Sequence, residues 1–299
     1  MKLFALKEKG IRKEYVEFKG TVYKSPIKNS ELLMKMYEGN MPDLLNPVDF
    51  NLESVMNDDL SNFVIDFPIE IKEIWGSGIT YYISRKRYSE DDVAKINGKT
   101  IYEKVYDSER PEIFFKGTQQ RCSPPNGNIS IRSDSTWTLP EPELAVILDH
   151  NGNVLAYTIM DDVSARDIEA ENPLYLPESK IYNGCCSFGP VVVTPDQISD
   201  QYALDINMTI HRDGKVLFEG STSTKNMKTK IETQISYLLR DNDIPDLTIL
   251  TTGTSIIPGK DQGLQDGDSV SITINEIGTL KTGVIKLNSM EKVKETTSY

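Results

Sequence analysis

Histidine and cysteine are scarce. The 299 residues include two histidines, His150 and His211, and three cysteines, Cys122, Cys185 and Cys186. No CxxC spacing occurs, so a zinc centre of the Cys/His kind is not expected, and three thiols, two of them adjacent, build no disulfide framework. Basic charge is also short: 33 Lys and Arg stand against 45 Asp and Glu, a net of −12. A surface of that sign repels phosphate backbones and anionic lipid, which argues against nucleic acid and membranes as partners. No apolar run approaches the roughly 18 residues that suggest a membrane span. Runs such as LAVIL and VVV are far shorter. The opening stretch MKLFALKEKGIRKEYVEF alternates charged and apolar groups instead of building a signal-peptide core. These absences predict a cytoplasmic, reduced protein.

What is present falls into two parts. Residues 1–70 read as a small leading module: KLFALKEKG and EYVEFKGTVYK suggest short strands around a glycine turn. NSELLMKMYEG follows as a helix capped by Asn29 or Ser30 and stopped by Gly39. The boundary is placed near Pro68. SEDDVAKINGKTIYEKVYD predicts a helix opened by Ser89. After Glu112 strands dominate, among them IFFK, ISIRSD, ELAVILDHNGNVLAYTIM, FGPVVVT, ALDINMTIHRDGKVLFEG and SVSITINEIGTLKTGVIKL. DHNGN and HRDGK are hairpin turns with a histidine in each. Met227, Ile231, Ile235 and Leu238 recur at helical spacing in NMKTKIETQISYLLRD. Strands in runs, not alternating with helices, argue for an α+β fold over a doubly wound sheet. The expected division is 1–70, a catalytic unit over 71–288, and a polar tail over 289–299.

The stretch WTLPEPELAVIL sets Glu141 and Glu143 two apart, hence on one side of an extended chain, where their charges repel. Most such pairs are solvated. Here Pro140 and Pro142 remove backbone donors, and the chain then runs straight into an apolar strand. A hairpin centred near residue 151 sets residue 141 opposite about 161, and 143 opposite about 159. Asp161 and Asp162 then arrive at the same end, and periodicity leaves open which of them joins the glutamates. Three carboxylates make a hard oxygen site suited to Mg²⁺, Mn²⁺ or Ca²⁺.

PEPELAVIL, AYTIMDDVSARD, SKIYNG, FGPVVVT and DLTILTTGTSIIPGKDQGLQDGDSVSITINEIGTL together resemble the fumarylacetoacetate hydrolase superfamily over roughly residues 110–287. WGSGITY, RYSE, GKTIYEKVYD, RPEIFFK, SDSTWTLPEPELAV and TIMDDVSARDIEAENPLYLPESKIYNGCC resemble its branch of 2-keto-3-deoxypentonate dehydratases, back to about residue 70. The resemblance implies a mixed β-roll with few helices, assembled as a homodimer or homotetramer. It implies Mg²⁺, with Mn²⁺ or Ca²⁺ as substitutes, on Glu141, Glu143 and Asp162. Lys180 and Glu112 would be the acid–base pair, and Thr254 would bind substrate; Arg85, Ser77 and Phe115 are the further expected substrate contacts.

The implied reaction is loss of water from a small 2-keto-3-deoxy sugar acid to give 2,5-dioxopentanoate. A lysine next to the cation and partly desolvated can have its pKa lowered toward neutrality, and Lys180 in that state takes a C3 proton. Glu112, kept protonated by Phe114 and Phe115, assists departure of the C4 hydroxyl. An acylpyruvate or fumarylpyruvate C–C hydrolase on the same metal site is the alternative. That family's hydrolases activate water with a histidine–glutamate pair, and two histidines at hairpin tips do not suit the role. A catalytically dead calcium binder would have no use for Lys180 and Glu112.

Overall fold

The computed structural model describes residues 1–44, 46–57, 62–82 and 98–288. Within them the strands are β1 Lys2–Glu8, β2 Ile11–Phe18, β3 Thr21–Lys24, β4 Phe63–Asp66, β5 Ile74–Gly78, β6 Glu112–Gly117, β7 Cys122–Ser123, β8 Asn128–Ile131 and β9 Thr138–Leu139. They continue with β10 Pro142–Leu148, β11 Val154–Asp162, β12 Ser164–Ala165, β13 Cys186–Val193, β14 Asp205–Arg212, β15 Lys215–Ser223, β16 Thr248–Thr251, β17 Ser269–Ile274 and β18 Gly278–Lys286. The α-helices are α1 Asn29–Tyr37, α2 Leu52–Met56, α3 Ile101–Asp107, α4 Arg166–Glu171, α5 Leu176–Lys180 and α6 Ile231–Leu238. The fold is mixed α/β with large mixed sheets. An eleven-stranded sheet runs β3-β2-β1-β13-β11-β10-β16-β5-β6, with β4 on β1 and β7 on β13. A five-stranded sheet runs β15-β14-β17-β18-β8, and β12 pairs with β9.

The central strands are buried on both faces. In β10, Leu144, Val146 and Leu148 join one apolar cluster, which also holds Met208, Ile210 and Ile272 of the five-stranded sheet. Ala145 and Ile147 point the other way, into a cluster with Leu32 and Leu33 of α1. The period of two along a strand thus feeds two cores at once, which explains an unbroken apolar run.

Several local expectations change. The β10–β11 hairpin pairs Leu148 with Val154 but Ile147 with Ala156, so a bulge shifts the register by one residue. Pro142 therefore faces Asp161, and Glu143 faces Met160, not residue 159. Pro142 opens β10, the position in a strand where a missing N–H costs least. Asn29 is not the cap of α1: it is fully buried and its Nδ2 donates to Phe4 O at 2.9 Å and Pro68 O at 3.0 Å. Residues 1–70 share the large sheet with the rest, since β1 pairs with β13 through Lys2 and Val193. Ser89 and the start of its helix lie outside the described residues; α3 begins after Thr100, which forms a capping box with Glu103. Met227 precedes α6 and is buried, while Ile231, Ile235 and Leu238 form the helix's inner face. His150 sits in its turn, but His211 lies within β14, paired on both sides.

Candidate active site

Chain direction brings the acidic groups together. Glu141 immediately precedes β10, Glu143 is its second residue, and Asp162 ends β11. The backbone locks these ends: Asp162 N–H donates to Glu141 O at 2.9 Å. Asp161 turns away and accepts from Glu141 N–H at 3.0 Å. The structure thus separates the two aspartates that periodicity left open. One ligand oxygen from each of Glu141, Glu143 and Asp162 lies within 4.8 Å of the others, and all three residues are buried.

Two lysines meet this cluster. Lys180, at the end of α5, donates to Glu141 Oε2 at 2.8 Å, Asp162 Oδ2 at 3.0 Å and Ser164 Oγ at 2.5 Å. Lys116, fully buried on β6, pairs with Asp162 Oδ1 at 2.6 Å and donates to Val163 O at 2.8 Å. Among the described residues, no lysine forms an ion pair with Glu143. Its Oε2 accepts from the Thr251 hydroxyl and from Gly253 N–H at 2.6 Å. Gly253 is obligatory in that role: its φ is +91°, and a Cβ there would stand 2.1 Å from Thr80 Oγ1 and 2.9 Å from Ser77 O.

The electrostatics follow from burial and neighbours. Burial, with Asp162 and Glu141 close by, pushes the Glu143 carboxyl well above its ordinary range. Burial raises Asp162 too, but Lys116 and Lys180 outweigh it and hold that carboxylate below its usual value. Without a cation beside it, Lys180 sits as an ammonium among carboxylates. Burial alone would lower its pKa, yet Asp162, Glu141 and Glu169 overcome that and hold the ammonium well above its ordinary value. A depressed lysine needs a cation beside it, not three carboxylates alone. Glu112 is pushed up to about 7, by burial first and then by Glu169.

A cavity of about 20 Å³ lies among these groups, lined also by Ser77, Glu112, Glu169 and Thr254. Glu112 reaches it from β6 because its partner on β5 is Gly78; a Cβ at Gly78 would fall 1.8 Å from Glu112 Oε2. Two pairs along, on the same face, the Phe114 ring fills the space over Gly76. Its centroid is 5.3 Å from Lys180 Nζ, close enough for a cation–π contact. Phe115, named from sequence as a substrate contact, points to the other side of β6 and packs edge-on against Trp75 at 5.3 Å. Ser77 lines the cavity, and its buried Oγ has no hydrogen-bond partner among the described residues. Arg85 lies outside the described residues. Lys116, Glu169 and Gly78 escaped sequence reasoning. The signal was alternation in EIFFKG, which puts residues 112, 114 and 116 on one face, opposite a glycine-rich strand.

The donor set fits a hard divalent cation. Three buried carboxylates offer oxygens only, and Glu143 is driven toward holding a proton where a dication would relieve the same repulsion. Neither histidine lines the cavity.

Comparison with known proteins gives consistent matches. The profile of the fumarylacetoacetate (FAA) hydrolase C-terminal family matches residues 89–285. The chain is 56% identical over 294 residues to the 2-dehydro-3-deoxy-D-arabinonate dehydratase of Saccharolobus solfataricus, covering 96% of this chain and 97% of the relative. A probable 2-keto-3-deoxyxylonate dehydratase of Haloferax volcanii is 45% identical over 217 residues, 73% of each chain. Among solved structures, 2-keto-3-deoxy-D-arabinonate dehydratase complexed with magnesium and 2,5-dioxopentanoate superposes with a TM-score of 0.88 at 53% identity, covering 96% of this chain and all of that one. The chain belongs to the fumarylacetoacetate hydrolase family.

Proposed function

We propose that the protein is a Mg²⁺-dependent dehydratase that converts 2-keto-3-deoxy-D-arabinonate to 2,5-dioxopentanoate and water. The observation that carries this reading is the single cavity shared by Glu141, Glu143, Asp162, Lys180 and Glu112. Its support from likeness is a relative that matches nearly the whole chain and is named for that activity. Magnesium held by Glu141, Glu143 and Asp162 supplies Lewis-acid polarisation of the 2-keto group.

The residues of the chain do the rest. Lys180, positioned between Glu141 and Asp162, would be the base for a C3 proton once a cation on those carboxylates lowers its pKa. The C3–H electron pair becomes the C3–C4 π bond as the C4–O bond breaks. Glu112, protonated up to about pH 7 by its burial, gives its proton to the departing hydroxyl, which leaves as water. Ser77 Oγ and Thr254 line the same space and are the substrate-binding groups in this reading, with Arg85 as a further contact. A hydrolase has no histidine here to activate water. The reading also carries a roll over 71–288 behind a small module at 1–70, a polar tail at 289–299, a homo-oligomer and a cytoplasmic setting.

The test is incubation with 2-keto-3-deoxy-D-arabinonate and Mg²⁺, with separation of products. Formation of 2,5-dioxopentanoate that stops on EDTA treatment is expected. Pyruvate instead, signalling aldol cleavage, or turnover unaffected by EDTA, sinks the proposal.

A further inference from the structure

The dehydration just described ends one step short of its product. Loss of a C3 proton and the C4 hydroxyl gives 5-hydroxy-2-oxopent-3-enoate, whose C5 still carries two hydrogens. An aldehyde at C5 requires one of them to leave as a proton, C3 to regain one and C4 to gain one. Lys180 serves C3 and Glu112 serves C4. C5 needs a third group.

The cavities say where C5 lies. The space among the three carboxylates is confined, about 20 Å³. A second cavity of about 50 Å³ adjoins it, and the two share Ile79, Glu112, Glu169 and Leu176. With the keto-acid end at Glu141, Glu143 and Asp162, the far end of the substrate extends past Glu112 into this second space. Much of its wall is apolar, with Ile101, Val105 and Pro173. Glu169 stands out. Its buried Oε2 has no hydrogen-bond partner among the described residues. Its Oε1 is held at 2.9 Å by Nη1 of Arg166, three residues earlier on α4. Arg166 is itself fully buried, and the same Nη1 donates to the Tyr102 hydroxyl at 2.9 Å. The carboxylate is thus anchored through one oxygen and offers the other to the cavity.

We propose that Glu169 is a third catalytic residue, the base that removes the C5 proton; this rests on the dehydratase reading. Glu169 Oε2 takes the proton, and the C5–H pair forms the C4–C5 π bond. The former C3–C4 pair, conjugated with the 2-keto group, takes a proton at C3 from the Lys180 ammonium. The resulting C5 enol then gives its hydroxyl proton to the Glu112 carboxylate as Glu169 passes its proton to C4, the C5 carbonyl forms, and all three groups return to their starting states. Atoms balance: the substrate loses one water and nothing else.

The experiment compares wild type with Glu169→Gln, which keeps the side chain's shape and an oxygen for Arg166. Three quantities are followed: C3 hydrogen exchange into D₂O, ultraviolet absorbance of the conjugated enoate, and 2,5-dioxopentanoate. In the variant, C3 exchange persists, the enoate accumulates, and 2,5-dioxopentanoate formation falls by about 10²-fold, the usual worth of a general base. A second substrate, 4-hydroxy-2-oxopentanoate, has a methyl group at C5 and finishes as an enoate; Glu169→Gln dehydrates it as wild type does. Wild-type rates of 2,5-dioxopentanoate formation without enoate overturn the proposal, leaving Glu112 to act twice. Parallel loss of C3 exchange and of both dehydrations overturns it too, because Glu169 would then act through Glu112 or the fold. A wild type that makes no 2,5-dioxopentanoate refutes the dehydratase reading itself.

Discussion

The two large sheets are made of similar residues and spend them differently. In the five-stranded sheet, β14 and β17 alternate buried and outward positions, so Asp205, Asn207 and Ser269 meet solvent while Ile206, Met208 and Val270 meet the core. In the eleven-stranded sheet, every residue of β10 and β13 is buried. A polar group costs little on the first sheet's outer face. On the second it costs several kcal/mol unless paired, by about the desolvation penalty of the charge. The buried charges of the second sheet stand at strand ends and are matched: Asp162 by Lys116 and Lys180, Glu141 by Lys180. Glu143 is served by hydrogen bonds instead. Unmatched demand of this kind marks the reactive end of the sheet.

Deleting a lysine at the carboxylate cluster and one from the five-stranded sheet gives the widest contrast. Lys180→Met removes the base and leaves Glu141 and Asp162 without their shared partner, so turnover falls by about 10³-fold or more. Lys215→Met, on exposed β15, leaves kcat within about twofold. Steady-state rates of the two variants check it, and equal losses would erase the distinction between the sheets. Gly78→Ala comes next. Its Cβ would collide with Glu112 Oε2, and displacing an acid by an ångström costs about 10²-fold in kcat. Met208→Ala, in the five-stranded sheet, reverses the pattern: about 3 kcal/mol of stability is lost in urea titration with kcat unchanged.

The same contrast explains what was readable in advance. Alternation in DINMTIHR and SVSITI identifies strands with one wet face, and HRDGK places the hairpin that joins β14 to β15. In LAVIL the apolar run says buried but gives no facing, so a bulge at Ile147 and Leu148 was invisible and the register came out one residue wrong. The carboxylates were visible because charge is conspicuous beside an apolar run. Lys116 was not, since a lysine after FF reads as a surface residue, and its partner Asp162 is 46 residues away in sequence. Glu169 was hidden similarly: in RDIEAE it resembles any solvated helix charge until Arg166 turns it inward. His211 reads as a turn residue from HRDGK, but β14 extends through Arg212.

Acid titration should separate the sheets more gently. Glu112 and Asp161 are both raised to about 7, and Glu143 well above its ordinary value. A carboxyl raised on folding binds its proton more tightly in the native state. Its contribution to stability is full below the unfolded pKa, about 4 to 4.5, and is lost as pH rises through about 7. The metal-free protein therefore melts several degrees lower at pH 8 than at pH 5. Mg²⁺, by taking the place of the Glu143 proton, restores more at pH 8 than at pH 5. Thermal melts with EDTA and with Mg²⁺ measure both. A metal-free Tm that is flat across this window would mean the buried carboxyls are not strained by their neighbours.

The smallest effect separates the two faces of one strand. Phe114 and Phe115 are adjacent on β6, yet Phe114 overlies Gly76 and faces Lys180, while Phe115 stacks edge-on with Trp75. Phe114→Leu removes the ring beside the ammonium and opens the wall next to Glu112, so kcat falls about tenfold, the worth of one desolvated cation–π contact or a little less. Phe115→Leu removes an aromatic pair worth about 1 kcal/mol of stability and leaves kcat within about twofold. If Phe115→Leu lowers kcat as much as Phe114→Leu while melting normally, the two faces of β6 are not independent. Substrate would then contact the side of the strand that packs on Trp75.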